Sequence, residues 1–278
     1  MKLDILVPIH TYPEGNAGNI ALHAATIARH LKADVHALVL NADFSRVSNA
    51  LGNMLIDVPA LIGEAKAKSR ERGAAVVLAL ETEMGPLGIP LRTTHIECFP
   101  GAAGDVVSSL ARYHDFVLVG LGAIDVSPQA TAEAVIFGSG RPTLLVPEDA
   151  ATLTFGHVMI AWDGSWVAAR AVSDARDFLQ RAQTITIASV TDEKALPDED
   201  PGSRLAEYLA RHDIEATVAR VQSRGRPISE TLQEHAREIG AGMLVMGGFA
   251  HSRMRDFVLG GATNGILRNL RLPVLLSH

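Results

Sequence analysis

The sequence predicts an α/β protein made of two tandem, doubly wound, parallel-sheet domains of the Rossmann-like type. Three observations predict it: short apolar runs alternate with helical patterns, the runs are apolar throughout, and the whole series occurs twice. Strands that alternate with helices are typical of parallel sheets, and strands covered by helices on both faces are apolar along their length. The chain of 278 residues is also about twice as long as a common domain.

The first copy opens with a strand and a helix and closes with a strand that begins at an Arg-Pro pair. The predicted strands are 3–7, 34–40, 116–119 and 141–146, and the predicted helices are 19–31 and 102–113. Between residues 43 and 91 lies an excursion with a charged helical stretch at 66–72. We expect that stretch to be a solvated helix face.

The second copy repeats this order. Its predicted strands are 158–162, 184–190, 243–246 and 272–276, and its predicted helices are 167–182, 228–239 and 263–270. A polar stretch at 147–156 separates the copies, which places the domains at 1–148 and 155–278. The last strand of each copy is apolar and is expected at a sheet edge, so we expect the copies to pair as an internal pseudo-dimer, with a homodimer of chains as a further expectation.

Composition narrows the functional classes. The net charge of −6 argues against binding to nucleic acid or to an anionic membrane. The first residues lack the apolar stretch of a signal peptide, and charged residues, Gly or Pro interrupt every run that approaches a membrane span. A single cysteine, Cys98, suits a reducing compartment. We therefore expect a cytoplasmic protein.

Two loops of the second copy follow strands where parallel sheets bind ligands. Asp163 follows the first strand directly and can accept hydrogen bonds from a ribose hydroxyl or a base amine, although it suits a helix N-cap equally well. The second loop, 247–263, has glycines at both ends, which let backbone amides approach an anion closely. Its candidate ligand-binding residues are Gly247, Ala250, His251, Ser252, Arg253, Gly260, Gly261 and Thr263.

This pattern resembles the universal stress protein family, whose nucleotide-binding members carry Gly-x2-Gly-x9-Gly-Ser/Thr after the fourth strand. The pattern falls here on Gly247, Ala250, Gly260 and Gly261, with Thr263 following. The resemblance covers nearly the whole chain as two copies and implies an adenine nucleotide alpha hydrolase-like fold. It implies that Asp163 and a backbone group at Val190 hold the adenine end, and that the loop holds the ribose and phosphates of ATP or a related adenine nucleotide, with or without Mg²⁺.

Two departures bear on affinity: Ala250 replaces a glycine, and Gly261 replaces the hydroxyl residue. The first copy departs further, because Gly120 to Pro142 spans 142 − 120 = 22 positions whereas Gly247 to Pro273 spans 273 − 247 = 26. It also has residues 10–13 in place of the strand-end aspartate. We therefore expect no nucleotide in the N-terminal domain.

The sequence leaves three functions open. A stress-response protein that binds a nucleotide and changes shape or partner affinity is favoured; a slow ATPase using the same pocket and an interaction module without nucleotide are the alternatives. The sequence contains no Walker loop, dinucleotide fingerprint or His-Glu-x-x-His pattern. A binding protein is thus favoured over an enzyme, and no catalytic residue or metal ligand is assigned.

Overall fold

The computed structural model describes residues 2–44, 57–122, 126–193, 200–248 and 261–278. The chain divides into two compact units, Met1–Ser139 and Gly140–His278. Each unit is an α/β fold whose strands are mostly parallel, as the sequence predicts. Among the described residues we find no helix with the length and apolar character of a membrane span.

Unit 1 contains four parallel strands in the order β3-β2-β1-β4. Its elements are β1 (Asp4–His10), α1 (Asn19–Leu31), β2 (Asp34–Ala42), α2 (Val58–Met84), β3 (Leu91–Cys98), α3 (Ala103–Ala111), β4 (Phe116–Leu121) and α4 (Val126–Gly138). Helix α1 packs against α2, and α3 packs against α4. Right-handed crossovers place these two pairs on opposite faces of the strands.

Unit 2 repeats the arrangement with strand order β5-β10-β9-β6-β7-β8. Its elements are β5 (Thr143–Pro147), β6 (His157–Ala161), α5 (Trp166–Asp174), α6 (Arg176–Leu179), β7 (Thr184–Val190), α7 (Pro201–Ala210), β8 (Thr217–Val221), α8 (Ile228–Glu238), β9 (Met243–Gly247), α9 (Gly261–Arg268) and β10 (Val274–Ser277). Strands β6 to β10 run parallel, and β5 pairs with β10 in the antiparallel sense.

The structure refines several predicted elements. Helix α1 and strand β7 have the predicted bounds, whereas the predicted helix 167–182 is divided into α5 and α6 at Ala175. The edge strands β3 and β8 carry polar residues, and for this reason the apolar pattern did not predict β8. Helix α9 begins at Gly261, two residues before its predicted start, so this glycine lies at the helix N-terminus.

The turn between β6 and α5 is stabilised by contacts among its own residues and the first turn of α5. Ser165 caps α5, because its Oγ accepts a hydrogen bond from the amide of Ala168 at 3.3 Å. Gly164 adopts φ +75° in the preceding turn, a conformation that glycine allows without strain. The turn therefore brings Asp163 and Ser165 to the carboxyl edge of the strands.

Candidate functional site

A cleft of about 520 Å³ opens at the carboxyl edge of β6, β7 and β9 in unit 2. The chain runs from β6 to β7 on one side and returns to β9 on the other, so this edge is a topological switch point, where open α/β sheets bind ligands. The described residues that line the cleft are Ala161, Trp162, Asp163, Ser165, Val167, Ala168, Ala188, Val190, Glu193, Pro227, Ile228, Leu232, Met246, Gly247, Gly261, Ala262 and Thr263.

Five sequence-predicted site residues meet at this cleft: Asp163, Val190, Gly247, Gly261 and Thr263. They come from β7, β9, α9 and the loop after β6, so the fold brings together residues up to 100 positions apart, from 163 to 263. The other predicted residues, Ala250, His251, Ser252, Arg253 and Gly260, lie outside the described residues.

Asp163 lines the cleft but is not the N-cap that the sequence offered as its alternative role. Its Oδ1 accepts a hydrogen bond from the amide of Ser165 at 3.0 Å, which stabilises the turn, and the half-buried side chain also lines the cleft. The N-cap itself is Ser165. Asp163 therefore stabilises the turn after β6 and contributes to the lining of the cleft.

Gly247 is required by packing at the end of β9. A Cβ at this position would lie 2.6 Å from the backbone nitrogen of Ala168 and 2.7 Å from the carbonyl carbon of Val167. Both atoms belong to the first turn of α5, so a side chain here would push the helix away from the strand. The absence of a side chain at Gly247 thus allows α5 to pack closely against the end of β9, beside the cleft.

The remaining wall comes from residues that the sequence pattern did not indicate. Trp162 precedes Asp163, and its indole Nε1 donates a hydrogen bond to the carbonyl of Pro201 at 2.9 Å, which fixes the ring beside the cleft. Ile228 and Leu232 lie one turn apart at the start of α8. Adjacency to Asp163 is the only sequence signal for Trp162, while the α8 wall depends on the unpredicted strand β8.

Strand register relates the two units residue by residue. Ile5 pairs with Val35 and Phe116, and Val158 pairs with the corresponding Ile185 and Met243. Counting five residues onward from each makes His10 the counterpart of Asp163. Counting from Val35 and Ile185 likewise makes Leu40 the counterpart of Val190.

At these counterpart positions unit 1 uses its own side chains. The hydroxyl of Thr11 donates to the carbonyl of Leu40 at 2.6 Å, and the hydroxyl of Ser69 on α2 accepts from the amide of Ala42 at 2.8 Å. The two hydroxyls are 2.6 Å apart. The backbone at the end of β2 is therefore already hydrogen-bonded within unit 1.

In the charged stretch 66–72 of α2, Lys68, Arg70 and Glu71 are exposed as expected, whereas Arg72 is half-buried. Arg72 donates to the carbonyl oxygens of Thr11, at 3.2 Å, and Pro13. Gly73 packs so closely on β2 that a Cβ would lie 2.6 Å from Val39 Cγ1. This part of α2 covers the carboxyl edge of β1 and β2 because small and hydroxyl residues alternate with the charges.

His10 completes the difference between the units. It is buried, 3% exposed, and burial lowers its pKa from 6.5 to about 4. An imidazole with this pKa is neutral at physiological pH. Unit 1 thus has a buried neutral ring where unit 2 has a carboxylate.

Fold and cleft together define a class of protein, the doubly wound α/β proteins with a ligand cleft at the switch point. Residues 154–278 match the universal stress protein family. The match lies within the second unit of the chain. None of the curated proteins matches the chain.

The fold matches solved structures whose chains are covered over nearly their whole length. It is similar to a universal stress protein from Archaeoglobus fulgidus DSM 4304, with a TM-score of 0.71 at 18% identity over 99% of this chain and 97% of that one. It is also similar to a candidate universal stress protein from Pseudomonas aeruginosa UCBPP-PA14, with a TM-score of 0.59 at 15% identity over 99% and 93%. At these identities the likeness concerns the fold.

Proposed function

We propose that unit 2 binds ATP or a related adenine nucleotide in the 520 Å³ cleft, and that the protein acts as a regulatory binding protein in a stress response. One observation carries the proposal: a strand-end carboxylate, the end of the second strand and the N-terminus of α9 border one cleft. A carboxylate can accept hydrogen bonds from the sugar or base of a nucleotide, and backbone groups at a strand end can bond the edge of the base. A helix N-terminus favours the phosphates.

The lining suits a purine at one end and an anion at the other. Ala188, Val190 and Ile228 offer apolar surface to a flat base. The first residue of α9, Gly261, is exposed at the cleft, and the positive end of the helix dipole favours a phosphate there. The ligand would therefore lie with its base against β7 and its phosphates toward α9.

Magnesium would enter with the nucleotide. The described residues contain no group of three or more His, Cys, Asp or Glu side chains placed to hold a metal ion. Mg²⁺ commonly binds through substrate phosphates and one or two carboxylates, and Asp163 and Glu193 line the cleft. Such an ion would neutralise phosphate charge in the complex.

In the proposal, unit 1 binds no nucleotide. The hydrogen bonds from Thr11 and Ser69 already satisfy the backbone groups at the end of β2, and a ligand would have to displace both. The buried neutral ring of His10 replaces the acceptor carboxylate. A pseudo-dimer of the two copies and a homodimer of chains stay predictions.

Ligand binding would act by shifting the population of conformations rather than by turnover. The test uses the two tryptophans of the chain, Trp162 in the cleft wall and Trp166 at the start of α5, 64% exposed. Because the chain has no other tryptophan, selectively excited tryptophan fluorescence reports this region alone. Titration with ATP, ADP, AMP and adenosine should give saturable changes, checked by calorimetry.

The diagnostic variant is Asp163→Asn, which keeps an acceptor for the Ser165 amide but removes the charge. We expect it to weaken ATP binding about tenfold, the effect of losing roughly 1.5 kcal/mol from a charged hydrogen bond. Asp174→Asn is the control, since Asp174 lies on α5, pairs with Arg170 at 3.0 Å and does not line the cleft. Absence of binding at millimolar ligand refutes the proposal, and Asp163-dependent phosphate release would identify a slow ATPase instead.

A further inference from the structure

A carboxylate outside the cleft joins two of its walls. Asp192 follows β7 and accepts a hydrogen bond from the amide of Ser223 at 2.8 Å and another from the amide of Arg224 at 2.9 Å, one to each carboxylate oxygen. Asp192 is exposed and is not among the described residues that line the cleft. Its partners lie just after β8, 31 and 32 residues farther along the chain.

These bonds extend the pairing of β7 and β8. The register of the strands ends at Val190 opposite Val221, and the amide of Thr191 donates to the carbonyl of Val221 at 3.0 Å. Asp192 then takes the next two amides of the opposite segment. The side chain therefore continues, beyond the strand ends, a connection that the backbone begins.

The segment that Asp192 holds has an unfavourable backbone. Arg224 has φ +53° and Gly225 has φ +80°, so two consecutive residues are left-handed. A residue other than glycine rarely adopts this region without a compensating interaction. Two hydrogen bonds to an ionised carboxylate supply such an interaction, and the same bonds hold the pKa of Asp192 below its usual range.

The end of this segment forms a wall of the cleft. The amide of Arg226 donates to the carbonyl of Ser223 at 3.1 Å, and Pro227 and Ile228, which follow at once, line the cleft. Val190, which also lines the cleft, stands two residues before Asp192. One carboxylate thus connects the end of β7 to the start of α8.

We propose that Asp192 is a positioning residue that sets the spacing across the cleft between Val190 and Ile228, and through it the affinity for the nucleotide. The affinity part rests on the proposed function, and the spacing part stands independently. Nothing in the proposal requires Asp192 to touch the ligand.

The test combines a structural and a binding measurement on the full chain. In Asp192→Ala, hydrogen exchange at the Ser223 and Arg224 amides should accelerate, and methyl NOEs between Val190 and Ile228 in the ligand-free protein should change. ATP binding should weaken about tenfold, in line with the loss of hydrogen bonds to a charged group. Asp177→Asn, which alters an exposed carboxylate paired with Arg181 on α6, is the control and should change none of these.

A rescue variant separates positioning from general destabilisation. Asparagine adopts positive φ more readily than arginine, so Arg224→Asn combined with Asp192→Ala should restore part of the lost affinity and of the NOE pattern. Faster exchange with unchanged NOEs overturns the proposal, as does an altered cleft with unchanged ATP affinity. If the unaltered protein binds no ATP, the proposed function fails, while the NOE comparison still decides whether Asp192 positions the walls.

Discussion

Restoring a hydroxyl at the N-terminus of α9 should strengthen nucleotide binding. Gly261 stands where the nucleotide-binding members of the family carry Ser or Thr, and it is exposed at the cleft. A Cβ at this position would meet no described atom within 4 Å. Gly261→Ser therefore meets none of the described residues, and its hydroxyl would lie at the end of the helix that favours an anion.

The magnitude follows from the kind of bond gained. A hydrogen bond to a charged group contributes about 1.5 to 3 kcal/mol, which corresponds to an increase in ATP affinity of about 10- to 150-fold at 1.4 kcal/mol per decade. Gly261→Ala is the matched control, because it adds the Cβ without the hydroxyl. Calorimetric titration of both variants with ATP and with adenosine measures the effect.

The ligand comparison decides the outcome. Only the serine variant should gain affinity, and only for ligands that carry phosphate, since adenosine has no group at that end of the cleft. An equal gain for adenosine, or no gain for ATP in a variant that still binds it, would show that the phosphates do not lie at α9 and refute the proposed orientation.

Three further outcomes follow from packing and burial. Gly247→Ala should lower the free energy of unfolding by about 1 to 3 kcal/mol, because the added Cβ clashes with the first turn of α5. Gly156→Ala is the control and should be tolerated, since its Cβ would meet its nearest atom at 3.8 Å. Urea denaturation of the two variants measures the difference. Ser69→Ala should cost about 1 to 3 kcal/mol by leaving the Ala42 amide without its acceptor, and an unchanged denaturation midpoint would contradict this. Burial lowers the pKa of His10 from the ordinary 6.5 to about 4, so the folded protein takes up a proton there only near pH 4. Its contribution to stability is therefore complete above pH 6.5 and is lost as the pH falls toward 4, by about 2 kcal/mol between pH 7 and 5; His10→Gln should flatten this part of the pH profile.

Local patterns predicted most of the fold. Helix α1 and strand β7 were predictable to the residue, because apolar periodicity and flanking polar residues mark the ends of elements that pack against a sheet. The polar edge strand β8 was missed because its exposed side chains give no apolar signal. The break between α5 and α6 at Ala175 was missed as well. Alanine favours helix, so its helix propensity gives no indication of an interruption there.

The candidate site was predictable where it depends on strand ends. Parallel strands direct their carboxyl ends to one edge, so residues after β6 and β9 had to lie near each other, and Asp163, Gly247 and Gly261 line one cleft. The reason for Gly247 was different from the expected one: the structure shows a close contact with α5, in addition to its place in the lining.

By itself, the sequence determined the duplicated α/β architecture and the strand ends that border the cleft, because both follow from periodicity and chain order. Only the tertiary structure decided how the two units differ. The contact of Thr11 with Ser69 joins residues 58 positions apart, and that of Asp192 with Ser223 joins residues 31 apart. Such contacts depend on which face of a helix or loop meets the strand ends, and no local pattern records that choice.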